Sequence, residues 1–100
     1  MNKLLSMLGL CARAGRLVSG VQAVDIALKK GEAKIVLIDE DASENTKKQM
    51  SDACAHKKTP LITVSACSLG DAIGKPGRMI AAVTDQSFAG RILQLYQEIG

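Results

Sequence analysis

The segment KIVLID, residues 34–39, decides the fold, because it is a continuous apolar run between a lysine and an aspartate. Three of its four apolar residues are β-branched, which favours an extended strand. No polar residue alternates with the apolar ones, so both faces of this strand need apolar cover. The segment therefore predicts the centre of an α/β sheet with helices on both sides.

Helix and strand patterns alternate on both sides of this strand, without a linker, a repeat or a low-complexity tract. The alternation predicts a mostly parallel or mixed sheet. In chain order, we predict a helix over 2–13, a very short strand at Leu17 and Val18, a helix between Gly20 and Gly31, the strand at 34–39, a helix from about 43 to 56, a strand at 61–65, a short helix at 69–74, a turn at 74–77, a strand at 78–85 and a last helix ending near 99. Side chains suited to N-caps are Ser19, Asp41 or Ser43, Ser68 with Asp71, and Asp85 or Ser87.

The composition indicates one small domain with an aliphatic core, since 47% of the 100 residues are hydrophobic and only 2% are aromatic. The net charge of +3 favours an anionic partner. Three widely spaced cysteines and one histidine predict reduced thiols and no metal site or cofactor. The N-terminal segment fits an amphipathic helix better than a signal peptide, and no run approaches the roughly 20 apolar residues of a membrane span. We expect a cytoplasmic protein.

Three patterns resemble sites of chemistry, but none is complete. Residues 39–41, DED, follow the buried strand, where ligands often bind, yet these side chains also suit the start of the next helix. The loop at 70–78, GDAIGKPGR, lacks the spacing and the Ser or Thr of a Walker loop. Cys54 and His56 face different sides of a helix. We predict no enzymatic activity; a small metal-dependent enzyme using residues 39–41 is a further alternative.

The helix in GVQAVDIALKKG, residues 20–31, has an isoleucine on its outward, basic side. At about 100° per residue, Ile26 falls with Gln22 and the lysines rather than with the apolar residues. The N-terminus of this helix could present backbone N–H groups to a phosphate backbone. Because aromatic residues are scarce, sheets that stack single-stranded bases are disfavoured. The residues alone leave RNA binding open.

A family resemblance covers nearly the whole chain. It is carried by the order LVSGVQAVDIALKKGEAKIVLIDEDAS, PLITVS and SLGDAIGKPGRMIAAVTD. The chain resembles the kink-turn RNA-binding superfamily of ribosomal proteins L7Ae and L30e, and most of all its small bacterial YlxQ-like members. The most specific features are Gly20 and Gly31, the run KIVLIDEDAS, and the pattern LGxAxGKxxR from Leu69 to Arg78. The resemblance implies a three-layer α/β/α sandwich around a four-stranded mixed sheet.

The resemblance also implies where RNA binds. In the family, the helix after the first short strand enters the widened major groove of a kink-turn beside sheared G·A pairs, and the loop before the last strand touches a flipped-out base. Here Gln22 stands at the usual Asn position and keeps a carboxamide, whereas Ala23 and Ile26 replace the usual Glu and Lys. The implied RNA-binding residues are Arg16, Ser19, Gly20, Val21, Gln22, Ala23, Ile26, Lys29, Gly74, Lys75, Pro76, Gly77 and Arg78.

We therefore predict a monomeric, non-catalytic protein that binds structured RNA, such as a kink-turn or ribosomal RNA. Phosphate contacts set affinity and base contacts set specificity. The apolar side chains of Ala23 and Ile26 thus predict weaker discrimination before they predict lost binding. The alternative is a protein-interaction module on the same fold, with Ile26 as an apolar anchor.

Overall fold

The computed structural model describes residues 2–99. Its elements are α1 (Asn2–Arg13), β1 (Leu17–Ser19), α2 (Val21–Lys29), β2 (Ile35–Asp39), α3 (Glu44–Lys57), β3 (Leu61–Val64), α4 (Ser68–Ile73), β4 (Ile80–Val83) and α5 (Gln86–Ile99). Each predicted helix and strand is present, with ends that differ by a few residues at most. Among residues 2–99, every helix is too short or too polar to cross a membrane.

The four strands form one mixed sheet in the order β1-β4-β2-β3. β2 runs parallel to β3 and antiparallel to β4, and β4 runs antiparallel to β1. In this register, Val36 lies opposite Leu61 on one side and Ala82 on the other. β2 is therefore an interior strand of the sheet, as its continuous apolar sequence predicts.

Side chains of the central strand alternate between two apolar cores. Ile35 and Leu37 pack into the core formed with α1, α4 and α5, whereas Val36 and Ile38 pack into the core formed with α2 and α3. All residues of β2 and β4 are buried, because helices cover the sheet on both faces. The predicted three-layer α/β/α sandwich with a four-stranded mixed sheet is confirmed.

Two predicted helix caps are wrong. Ser19 belongs to β1 and does not cap α2; the N-cap is Gly20, and no side chain of the described residues caps it. Ser68 is the first residue of α4 rather than its cap, and its hydroxyl donates to the Ser65 carbonyl at 2.6 Å. Cys67 occupies the N-cap position in the left-handed conformation. In both places, the helix start is fixed by contacts from distant parts of the chain.

Two other caps follow the sequence rule. Ser43, rather than Asp41, is the N-cap of α3, and its hydroxyl accepts a hydrogen bond from the Thr46 N–H at 3.2 Å. The Asp85 carboxylate accepts one from the Phe88 N–H at 3.0 Å, in the first turn of α5. Each of these bonds satisfies a helix N–H that has no partner within the helix.

Candidate nucleic-acid interface

The start of α2 presents backbone N–H groups that no described side chain caps. Gly20 has φ 96° and ψ 150°, a conformation that is essentially restricted to glycine. Its own N–H donates to the Ile80 carbonyl at 2.9 Å, which ties the β1–α2 junction to β4. Because the first N–H groups of a helix lack intrahelical partners, this end of α2 can donate hydrogen bonds to an anion.

Arg78 reaches this junction from the loop between α4 and β4. Its Nη1 donates to the Ser19 carbonyl at 3.3 Å, and the same atom lies where a β-carbon on Gly20 would point. A cation therefore lies beside the uncapped N–H groups of α2, and both kinds of group attract phosphate oxygens. This contact joins the two segments that the family resemblance assigns to one RNA site.

A tight turn fixes the loop that carries Arg78. The Arg78 N–H donates to the Lys75 carbonyl at 3.2 Å, and Pro76 followed by Gly77 at φ 87° fits a type II β-turn. The turn packs directly on α4, because a β-carbon on Gly70 would lie 2.8 Å from the Lys75 carbonyl oxygen. The KPGR turn and its packing on Gly70 thus fix the backbone positions of the two loop cations, Lys75 and Arg78.

The outward face of α2 carries Gln22, Ile26 and Lys29. Ile26 is 52% exposed, so the prediction that it faces outward is confirmed. The Lys29 Nζ lies 3.0 Å from the Asp25 carboxylate, one helical turn away. Exposed pairs of this kind contribute only about 0.3–0.5 kcal/mol. The pair is easily broken, but it partly neutralises a lysine expected to meet phosphate.

Two of the expected cations, Arg16 and Lys29, lie away from the β1–α2 junction. The Arg16 carbonyl accepts hydrogen bonds from the Thr84 N–H at 2.9 Å and the Thr84 hydroxyl at 3.2 Å, which places Arg16 at the opposite end of β1 from Gly20. The extended chain between Arg16 and Gly20 spans about 13 Å. Lys29 is separated from Gly20 by a similar distance along α2. The structure brings together the other segments of the expected site, Ser19, Gly20, Val21, Gln22 and Ala23 with Gly74, Lys75, Pro76, Gly77 and Arg78.

The first aspartate of the acidic run after β2 serves the fold. Asp39 is fully buried, and its carboxylate accepts hydrogen bonds from the N–H groups of Asp41, Cys67 and Leu69 at 2.8, 2.9 and 3.1 Å. Burial raises the pKa of this carboxyl, but these bonds and one from Ser68 outweigh it and hold the pKa below its usual value. Asp39 therefore supports the start of α4, which corrects the expectation that it serves α3.

The thiols are poorly suited to nucleophilic or metal chemistry. Burial raises the pKa of Cys11 and of Cys54 to about 11. Cys67 is exposed, and its Sγ donates to the Asp41 carboxylate at 3.4 Å, which raises its pKa as well. Thiols with raised pKa values stay protonated at neutral pH and react slowly. Over residues 2–99, no group of three or more His, Cys, Asp or Glu side chains could hold a metal ion.

The structure adds one basic residue that the sequence-based site leaves out. Arg13, in the last turn of α1, and Lys75 line the same depression of about 160 Å³. In the sequence, Arg13 is one of several cations around the expected RNA face, and it also stands at a predicted helix end, where cations are common because of the helix dipole. Its proximity to Lys75 depends on how α1 packs beside α4, which the sequence pattern does not reveal.

Comparison with known proteins identifies a family and several relatives. Residues 2–92 match the family described as "Ribosomal protein L7Ae/L30e/S12e/Gadd45 family". One curated relative is "RNA-binding protein YlxQ" of Bacillus subtilis (strain 168), 44% identical over 90 residues that cover 89% of this chain and 90% of the relative. Another is "RNA-binding protein YlxQ" of Enterococcus faecium, 33% identical over 97 residues that cover 96% and 93%. None of these names denotes an enzyme.

Solved structures share the fold. A protein with unknown function from Bacillus halodurans C has a TM-score of 0.92 at 36% identity, and the match covers 97% of this chain and 99% of that chain. The Giardia lamblia 15.5kD RNA binding protein has a TM-score of 0.79 at 18% identity, with coverage of 99% and 88%. At that identity, the second match supports the fold alone.

Proposed function

Because the chain belongs to the ribosomal protein L7Ae/L30e/S12e/Gadd45 family, we propose that it is a non-catalytic protein that binds structured RNA of the kink-turn type. The relatives named RNA-binding protein YlxQ support the RNA-binding part of this proposal. The observation that carries it is the contact of 3.3 Å between Arg78 and the Ser19 carbonyl. This contact combines a glycine-started helix N-terminus and a basic loop in one anion-attracting surface. We expect the protein to act as a monomer in the cytoplasm.

Each group at this surface has a distinct role in the proposal. The N–H groups at the start of α2 and the Arg78 guanidinium hold phosphates, which set affinity and orientation. The Gln22 carboxamide can donate and accept hydrogen bonds at once, so it can read the edges of a non-canonical base pair. The backbone at Gly20 allows close approach of the RNA, because glycine has no side chain.

The departures from the family pattern predict reduced selectivity. Ala23 offers no polar atom to a base, and Ile26 offers only apolar contact to a base or a sugar. Phosphate contacts through the loop cations do not depend on these two side chains. We therefore expect salt-sensitive binding with a modest preference for kink-turn RNA over other folded RNA.

The test is a fluorescence titration against a kink-turn RNA and a matched RNA in which Watson–Crick pairs replace the sheared G·A pairs. The titrations run at about 50 and about 200 mM salt, because phosphate contacts make affinity fall steeply with salt. Tighter binding to the kink-turn supports the proposal. Equal, salt-sensitive binding to both RNAs would reduce it to a generic basic surface, and no binding would reject it.

A protein-interaction module is the second candidate, because Ile26 is 52% exposed on the same face of α2. In that case, Ile26 would act as an apolar anchor, and affinity would depend little on salt. Replacement of Ile26 by serine would then abolish partner binding while RNA binding stayed absent. RNA binding that survives this replacement would reject the second candidate.

A further inference from the structure

Two cations from distant parts of the chain line one small depression beside the loop at 74–78. Arg13 comes from the last turn of α1, and Lys75 follows α4. Three apolar residues complete the lining, namely Ala12, Leu17 and Ile73. Because Lys75 and Arg78 are the two ends of one turn, the depression and the β1–α2 junction are adjacent parts of the surface.

The charges of this depression are not compensated within it. None of its lining residues is acidic. The ion pairs found among the described residues join Lys29 to Asp25 and Lys47 to Glu44, so neither Arg13 nor Lys75 is paired there. Arg13 also borders the groove between α1 and α4 that contains Asp71, but no ion pair links the two.

Arg13 is not required to complete the end of α1. The carbonyls of Leu10, Cys11 and Ala12 accept hydrogen bonds from the N–H groups of residues 14, 16 and 15 at 2.9, 3.0 and 3.1 Å. These bonds satisfy acceptors that a basic side chain would otherwise serve at a helix C-terminus. The end of α1 therefore makes no demand on the guanidinium. Its Nη1 lies 3.5 Å from where a β-carbon on Gly9 would stand, so the side chain must turn towards Lys75 to meet an anion shared with it.

The size of the depression selects a small ligand. Its volume of about 160 Å³ is well below the roughly 300–1,000 Å³ of pockets that hold drug-sized molecules. A single phosphate group with its ester oxygens fits such a space. Arginine and lysine together supply several N–H donors to phosphate oxygens.

We propose that Arg13 and Lys75 share one backbone phosphate of the bound RNA, so that the RNA surface continues from Gly20 across the loop onto the end of α1. This inference rests on the proposed function. It adds Arg13, and it makes the two cations act as one unit rather than as separate phosphate contacts.

The test uses the full chain and the kink-turn RNA described above, with the variants R13Q, K75Q, R13Q/K75Q and R13K. If one phosphate is shared, each single glutamine variant weakens binding roughly tenfold at low salt. The double variant is then little worse than either single one, because both lose the same contact. The slope of log affinity against log salt concentration falls by about 0.9 in the double variant. R13K keeps most of the affinity, because it keeps the charge.

The control is K48Q/R91Q, which removes two exposed positive charges from α3 and α5 and changes the net charge equally. Thermal unfolding of all variants checks that the exposed substitutions leave the fold intact. Wild-type affinity in R13Q, additive losses with a slope change of about 1.8, or an equal loss in K48Q/R91Q would overturn the shared site while the proposed function stands. Absence of wild-type RNA binding would reject both proposals.

Discussion

Replacement of Gly20 by alanine should impair both the fold and the RNA surface. Gly20 has φ 96° and ψ 150°, where a residue with a β-carbon is strained by about 1–3 kcal/mol. The new β-carbon would also point at Nη1 of Arg78. The guanidinium must then leave the Ser19 carbonyl, so one methyl group acts on the backbone and on the cation.

The loss of stability can be estimated from the strain alone. The Arg78 side chain is exposed, and its bond to the Ser19 carbonyl adds little in water. G20A should therefore lower the free energy of unfolding by about 1–3 kcal/mol, which corresponds to roughly 5–20 °C in Tm for a chain of this size. Urea denaturation followed by circular dichroism measures the free energy directly.

G31A separates strain from the effect on Arg78. Gly31 has φ 72°, so alanine is disfavoured there as well, but a β-carbon would meet no atom within 4 Å. G31A should lose stability and bind kink-turn RNA as the wild type does. G20A should lose at least as much affinity as R78Q, because its methyl group displaces Arg78 and also stands where the RNA approaches, and G20A/R78Q should be no weaker than G20A.

Three results would refute this reasoning. An unchanged urea midpoint in G20A would show that the backbone at residue 20 is not restricted to glycine. Full RNA affinity in a destabilised G20A would show that the position of Arg78 over the junction plays no part in binding. Equal losses of affinity in G20A and G31A would assign the effect to general destabilisation.

Three further predictions concern the buried carboxylate and the outward face of α2. D39N should lose about 2–3 kcal/mol of stability, because a hydrogen bond to a charged group contributes about 1.5–3 kcal/mol. The amide nitrogen of asparagine cannot accept any of the bonds that the Asp39 carboxylate accepts. Urea curves that match the wild type would contradict this prediction. Because the pKa of Asp39 lies below its usual value, its contribution is complete above about pH 4 and is lost as the pH falls further, so the difference between wild type and D39N should shrink in acid. I26K should raise the salt slope by about 1 and change stability by less than about 0.5 kcal/mol, whereas I26E should weaken RNA binding; equal titration curves for both would remove Ile26 from the RNA surface.

The sequence predicts the layers of this fold because local periodicity and burial agree along the chain. The run from Ile35 to Ile38 has apolar residues at every position, and the sheet indeed buries both of its faces. Resemblance, rather than periodicity, supplies the site residues, and the contact of Arg78 with Ser19 joins residues 59 apart in the chain. Local rules cannot find such a contact.

The failed caps have the same physical origin. The capping rule favours Ser19 as the N-cap of α2. In the structure, β1 extends through Ser19, and Gly20 takes the N-cap position instead. At α4, Cys67 takes the N-cap position, and the Asp39 carboxylate accepts hydrogen bonds from the N–H groups of Cys67 and Leu69, across 28 and 30 residues. A capping rule considers neighbours within one turn, whereas the contacts that fix these two starts come from distant residues, Ile80 at Gly20 and Asp39 at α4.

The distribution of charge and apolar surface favours RNA over a protein partner. Among the described residues, the exposed large hydrophobic side chains are Leu10 and Ile26. They lie on α1 and α2, which cover opposite faces of the sheet, so they do not form one apolar patch. A stable protein interface usually buries about 800 Å² on each partner, far more than one isoleucine supplies.

Three cations, by contrast, lie next to one another beside Gly20 and the loop. Arg78 lies over the start of α2, and Lys75 begins the same turn beside Arg13. Farther along α2, Lys29 is paired with Asp25 and Ile26 carries no charge. In the proposed function, the loop and α1 therefore supply the affinity for the RNA backbone, and Gln22 is left to supply most of the discrimination. A site divided in this way binds tightly at low salt, yet its preference for a kink-turn should depend mainly on one carboxamide.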